Sequence, residues 1–195
     1  ELLLVQRGLT GAERDAFMQP SLTQLHDPFT LPDMEAAVAK LEWALTWQQP
    51  VTVFGDYDCD GVTSTVLLYT LLQKAGLQVD YHVPHRIDDG YGLTPDGVEK
   101  VHARGSRLIV TVDNGIAATE AIEKANALGM EVIVTDHHKQ EGELPPACAI
   151  VNPNRKDNEY PFQGIAGVGV AYKLCCALAP RILSSDEARS FLQEA

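Results

Sequence analysis

The hydrophobic pattern changes character at Pro50. Before it, Met34, Val38, Leu41 and Leu45 recur at spacings of three and four, which predicts an amphipathic helix from about Asp33 to Pro50. Thr10 and Glu13 form a capping-box pattern that predicts a short helix ended by Pro20, and the Pro- and Asp-punctuated stretch from Leu22 to Leu31 reads as loop. After Pro50, short apolar runs alternate with helical periodicity. Val51–Phe54, Val79–Val83, Leu108–Val112, Val132–Thr135 and Cys148–Val151 read as strands. Helices are expected from about Val62 to Ala75, from the Thr94-Pro95 cap to Gly105, and from Ala117 to Leu128. Two more are expected, from Gly167 to a stop at Pro180 and from the Ser184/Glu187 cap onward. Strand–helix alternation with nearly all-apolar strands predicts an α/β fold. The expected form is a doubly wound, mainly parallel sheet with helices on both faces, preceded by a short helical segment. The expected division is a helical lead-in over 1–50 and a catalytic domain over 51–195.

Length and composition narrow the class. With 195 residues, 45% of them hydrophobic, there is material for one real core, and disorder is excluded. No apolar run approaches the roughly 20 residues of a membrane span, so no membrane association is expected. Leu2-Leu3-Leu4-Val5 is too short for a secretory core and has no basic residue before it. The four cysteines are scattered, two of them adjacent, which reads as a reduced, cytoplasmic protein. The net charge of −12 argues by itself against a nucleic-acid groove. Three aspartates fall within five residues, however, and such crowding is costly without a cation between the carboxylates. The acidic balance therefore points to a metal site.

The candidate chemistry sits where strands end. Gly55-Asp56-Tyr57-Asp58-Cys59-Asp60-Gly61 follows the first strand, Val112-Asp113-Asn114-Gly115 ends the third, and Asp136-His137-His138 follows the fourth. Ligands of such sheets bind beyond the carboxyl ends of the strands. Oxygen and imidazole donors without thiolates at ligand spacing suit Mn²⁺ or Mg²⁺ better than Zn²⁺. Taken singly, each cluster has a blander reading. The Asp-x-Asp-x-Asp-Gly run resembles an EF-hand loop, but its twelfth position is Leu67 and a strand precedes it. Haloacid-dehalogenase-like phosphatases and receiver domains also place an Asp after a strand, yet the later Lys they need is not evident. Asp113 alone would be a helix cap, and Asp136-His137-His138 alone a solvated turn. Together the clusters favour ligands.

These three motifs, in this order, resemble those of the DHH phosphoesterase superfamily. Arg86-Ile87-Asp88-Asp89-Gly90-Tyr91-Gly92-Leu93, Asn152-Pro153-Asn154 and Ile165 to Ala171 resemble its single-strand-specific 5′→3′ exonuclease branch. The resemblance implies a two-metal exonuclease on single-stranded DNA in repair or recombination, with Mn²⁺ or Mg²⁺ as cofactor. Single-stranded DNA is the implied partner, with a single-strand-binding protein as a second. It implies that Asp58 and Asp60 bind one metal each, that Asp113 bridges them, and that His137 is a direct ligand. Asp56 is implied as a ligand or as a support for one. His138 is placed near the scissile phosphate, Asp136 orients an imidazole, and Arg86 is a candidate phosphate clamp. The alternatives are a DHH phosphodiesterase of short oligonucleotides or cyclic dinucleotides, or a catalytically dead replication scaffold. Phe54 stands where the manganese pyrophosphatases of the superfamily have His, which speaks against that activity. A further Asp used by the superfamily falls beyond Ala195 by resemblance, so the 195 residues alone are expected to be a weak or inactive exonuclease. His26, His82, His85 and His102 are expected at the surface or in packing, Cys59 as a small turn residue, Cys148, Cys175 and Cys176 as buried thiols, and Trp43 and Trp47 as packing residues.

Overall fold

The computed structural model describes residues 2–195. Five strands, β1 (Val51–Phe54), β2 (Val79–His82), β3 (Leu108–Val112), β4 (Glu131–Thr135) and β5 (Ala149–Val151), form one sheet in the order β2-β1-β3-β4-β5. Every pairing is parallel; Val53, for example, lies between Tyr81 of β2 and Val110 of β3. The helices are α1 (Leu2–Gln6), α2 (Gly11–Met18), α3 (Met34–Thr46), α4 (Cys59–Lys74), α5 (Pro95–Ala103), α6 (Thr119–Ala127), α7 (Gly167–Ile182) and α8 (Ser185–Glu194).

Side-chain alternation along the strands divides the core in two. Val51, Val53, Leu108, Val110, Val112, Ile133 and Val151 face one side, where α3, α4 and α7 cover them. Phe54, Ile109, Val132, Val134 and Ile150 face the other, against α5 and α6. Both faces of the central strands are thus dry, which is why they read as near-continuous apolar runs, whereas the edge strand β2 is partly exposed. Helix α3 contributes Met34, Val38 and Leu41 to the first core and shares it with the sheet. By contrast, α1 and α2 bury no residue.

The strand order reverses between β1 and β3, because β1 connects to β2 on one side and β2 returns to β3 on the other. That switch point opens a crevice at the strand ends.

Several local differences from the sequence reading have simple causes. Helix α4 starts at Cys59, three residues earlier than expected, because Asp58 caps it by accepting from Gly61 N at 2.9 Å. Helix α7 runs through Pro180 to Ile182. Pro180 costs only the one bond its missing N–H would make, and Leu183 N still reaches Ala179 O at 3.0 Å. Thr10 makes no side-chain cap bond, whereas Ser184 and Glu187 form both bonds of a capping box. The Leu22–Leu31 loop contains two short 3₁₀ turns, Leu22–Gln24 and Pro28–Thr30. Trp43 and Trp47 are exposed, with Lys40 over the Trp43 ring, and Cys148 is exposed rather than buried. Among the described residues no helix is long and apolar enough to cross a membrane.

Candidate metal centre

The loop after β1 turns back on itself so that α4 can begin at once. Gly61 makes this possible: a Cβ there would lie 2.7 Å from the backbone N and O of Asp56. Asp56 is thereby buried at the strand end, and its Oδ1 has no hydrogen-bond partner. Burial raises its pKa, offset in part by the Tyr57 amide.

Asp113, directly after β3, has φ 63°, a left-handed conformation that a non-glycine residue holds only when its surroundings impose it. Those surroundings are Asn114 and the strand ends. Asp113 N donates to Thr135 O at 3.0 Å. The buried Asn114 amide donates to Phe54 O at 3.2 Å and to Val112 O at 2.9 Å, and it accepts from Leu93 N at 3.1 Å. One side chain therefore ties three loops around the crevice. Asp113 Oδ1 makes no standard hydrogen bond and lies 3.1 Å from His137 Nε2. Burial, then the charges of Asp60 and Asp58, push the Asp113 pKa up to about 7.

The turn after β4 is built around Asp136, which is buried. Its Oδ1 accepts from His137 N at 2.7 Å, His138 N at 3.1 Å and His138 Nδ1 at 2.7 Å, and its Oδ2 accepts from Ile116 N at 2.9 Å. Burial works to raise the Asp136 pKa, but the His138 hydrogen bond and the amides outweigh it, and the group stays below the usual carboxylate range. In return, the Asp136 carboxylate raises the His138 pKa. With Nδ1 engaged by Asp136, His138 presents Nε2 to the crevice, 3.4 Å from the Tyr91 hydroxyl.

The structure brings the expected residues together unequally. Ligand atoms of Asp56, Asp58 and Asp113 all lie within 4.8 Å of one another, and so do those of Asp113, His137 and His138. Asp113 belongs to both groups, between two adjoining positions that a cation could take. Asp60 stands apart. Its Oδ2 accepts from Gly167 N and its Oδ1 from Val168 N, both at 2.7 Å, so it caps α7, with His137 Nε2 3.8 Å away. Arg86 is exposed on the loop after β2, with its guanidinium 5.3 Å from the Tyr57 ring centroid. Tyr91, which the sequence offers only as part of the Arg86–Leu93 motif, joins the site. It sits edge-on to both Tyr57 and His138 and donates to Asp113 O at 3.3 Å. Beside His138 lies a cavity of about 620 Å³, bordered by Tyr91, Asn114, Asp136 and Lys139.

A divalent cation fits this donor set. Two buried carboxylate oxygens, Asp56 Oδ1 and Asp113 Oδ1, lack hydrogen-bond donors, which is costly in the absence of a cation. Among the described residues no Lys or Arg pairs with Asp56, Asp58, Asp60 or Asp113. Hard oxygens with one or two imidazoles match Mn²⁺ and Mg²⁺.

The DHH family, N-terminal domain, matches residues 50–193. The chain belongs to the DHH family. Within this DHH chain, the single-stranded-DNA-specific exonuclease RecJ of Escherichia coli K12 is 48% identical over 177 residues, covering 90% of the chain and 30% of that protein. RecJ of Bacillus subtilis 168 is 43% identical over 177 residues, covering 90% of the chain and 22% of that protein. The DHH chain thus spans less than a third of the length of these relatives. A crystal structure of exonuclease RecJ bound to manganese matches with a TM-score of 0.72 at 35% identity, over 83% of this chain and 42% of that one. RecJ of Thermus thermophilus in complex with Mn²⁺ gives 0.73 at 31% identity, over 98% and 26%.

Proposed function

We propose that this DHH domain holds the metal centre of a 5′→3′ exonuclease that hydrolyses single-stranded DNA. The observation that carries the reading is Asp113. Its carboxylate is buried, partly orphaned and shared by two adjoining ligand groups, at the switch point of a fold that matches manganese-bound RecJ. Asp56, Asp58, Asp113 and His137 would hold the ions, with Asp60 as a further ligand through lone pairs that the α7 amides leave free. When bound there, divalent ions would lower the pKa of a water and offset charge in a phosphoryl transition state.

The remaining work falls to side chains. Asp136 fixes the direction of His138 and favours its imidazolium, whose Nε2–H can donate toward a phosphate oxygen at the crevice. Arg86, on the rim, is suited to bind the phosphate of the strand end as a fork donor. Residues 51–195 make up the catalytic unit, and α3 of the 1–50 lead-in buttresses it. A single-strand-binding protein as partner, a role in repair or recombination and a cytoplasmic location complete the proposal.

The test is hydrolysis of a 5′-labelled single strand in Mn²⁺, beside a duplex and a dinucleotide, by a RecJ-length protein that carries these residues. Preferential release of 5′-mononucleotides from the long single strand, lost in Asp113→Ala, is the expected result. Preference for the dinucleotide would move the reading to a short-oligonucleotide phosphodiesterase.

A further inference from the structure

Asp33 occupies the N-cap position of α3, yet it makes no cap bond and holds φ 53°. Its carboxylate is directed across the molecule instead. Oδ2 accepts from Ile150 N at 3.1 Å and from Arg155 Nη1 at 2.6 Å. Arg155 is almost fully buried, and the same Nη1 donates to Ile150 O at 2.7 Å, while Nε and Nη2 grip Asp157 at 2.9 and 2.7 Å. The guanidinium therefore pins β5 to Asp157 across the first turn of the loop that leaves β5. Inside that loop, Asn152 Nδ2 donates to His138 O at 3.0 Å, and Asn154 Nδ2 donates to His137 O. Asn152 Oδ1 also accepts from the Asn154 backbone N–H at 2.7 Å, which braces the turn that carries both side chains.

We propose that Asp33 and Arg155 are positioning residues for His137 and His138, and that they act through the side-chain amides of Asn152 and Asn154. The inference rests on the assignment of the two imidazoles to the metal centre and deepens it. Asp136 holds the N–H groups of the two histidines, and Asn152 and Asn154 hold their carbonyls, so the peptide planes of the turn are fixed from both sides. A buried fork with five donors is a stiffer anchor than a lysine or a solvated loop would provide. Catalytic groups placed about 1 Å off lose rate on the order of 10²-fold, so stiffness at this distance from the crevice matters to turnover. The lead-in helix thereby acts on the site without touching it.

Asp33→Ala and Asn154→Ala test this, since Arg155→Ala risks unfolding the chain. Arg181→Ala is the control: it cuts a different tie of α3, the one from α7 to Glu35 and Glu42. Three readouts are needed: imidazole ¹⁵N signals of the metal-free protein, Mn²⁺ affinity by electron paramagnetic resonance, and kinetics on a 5′-labelled single strand. Both test variants should shift the His137 and His138 signals, weaken Mn²⁺ binding and lower kcat by about tenfold or more, with KM little changed. Asp33→Asn should restore all three, because both bonds end on one oxygen that an amide retains. Arg181→Ala should change none. Folded Asp33→Ala and Asn154→Ala proteins with wild-type imidazole signals and Mn²⁺ affinity would overturn the proposal. Hydrolysis that survives Asp113→Ala would sink the functional reading alone, since the imidazole and Mn²⁺ measurements still decide the positioning role.

Discussion

Gly167 lies directly against Asp113. A Cβ built on Gly167 would overlap the Asp113 carboxylate, so only glycine lets the first turn of α7 approach the crevice so closely. From that position the Gly167 and Val168 amides reach Asp60, and the end of α7 becomes one wall of the metal centre.

Gly167→Ala should therefore act on the metal before it acts on the fold. The added methyl forces α7 away from the crevice or rotates the Asp113 carboxylate. The expected result is a loss of about tenfold or more in Mn²⁺ affinity, read by paramagnetic resonance. A stability cost of about 1–3 kcal/mol, typical of overpacking, should accompany it in urea unfolding. Wild-type Mn²⁺ affinity in the variant would show that the close approach has no bearing on the ligands.

The pH dependence of metal binding should follow Asp113. Its carboxyl titrates at about 7 in the metal-free protein, so below that pH a cation must displace a proton. Mn²⁺ affinity should rise with pH up to about 7 and flatten above it. Calorimetry in two buffers should find close to one proton released per Asp113 site at about pH 6 and few at about pH 8.

Stability of the metal-free protein should run the other way. Asp113 has a folded pKa raised above the roughly 3.9 of an unfolded Asp, so its contribution is complete at acid pH and is lost as pH rises through about 7. His138, also raised, acts in the same direction above its unfolded value of about 6.5. Asp136 is lowered, so its contribution is lost only in acid. Metal-free melting midpoints should fall from about pH 5 to pH 8, and excess Mn²⁺ should remove the decline. A flat metal-free profile would contradict the raised Asp113.

How far the sequence carries this site depends on the range of each interaction. The strands were legible because both faces of the central strands are buried, so Val51–Phe54 and Leu108–Val112 are apolar but for Thr52 and Thr111. The three strand-end clusters were legible because polar residues that interrupt such runs stand out. The start of α4 is hidden in the sequence because Asp56, Asp58 and Asp60 look like one loop; the Asp58-x-x-Gly61 cap spacing holds the signal. The second use of Asp60 was not legible, because its partners lie 107 and 108 residues on. Nor could the chain announce that Asp33 leaves its helix for Arg155, 122 residues away. Tyr91 was visible only as part of a motif, and its place beside His138 needs the fold of the loop.

Asp136→Asn separates charge from shape at the second histidine. The amide retains the outline of the side chain but loses the charge that raises the His138 pKa. It also turns an N–H₂ group toward donors at Ile116 N or at the His137 and His138 amides. The His138 pKa should fall, as read from imidazole NMR, and turnover on a single strand should drop by roughly 10–100-fold. An unchanged His138 titration would remove Asp136 as its partner.

Asp60→Asn decides between two roles for one carboxylate. In the structure both Asp60 oxygens accept backbone N–H groups at the start of α7, where the helix dipole favours negative charge. An amide has one oxygen, so it can keep one of the two bonds, and its N–H₂ then faces the other donor. Hydrogen bonds to a charged acceptor contribute about 1.5–3 kcal/mol each, with the dipole adding about 0.3–1 kcal/mol. Asp60→Asn should therefore destabilise the metal-free protein by about 1–3 kcal/mol in urea, a loss that chelator does not alter. If Asp60 also binds a metal through its free lone pairs, the variant should lose Mn²⁺ affinity as well, and the Mn²⁺-bound protein should lose more stability than the metal-free one. Equal losses with and without Mn²⁺ would leave Asp60 as the cap of α7 alone. A metal-free midpoint equal to wild type would mean that the two amide bonds contribute nothing to the fold, and that Asp60 serves only the metal.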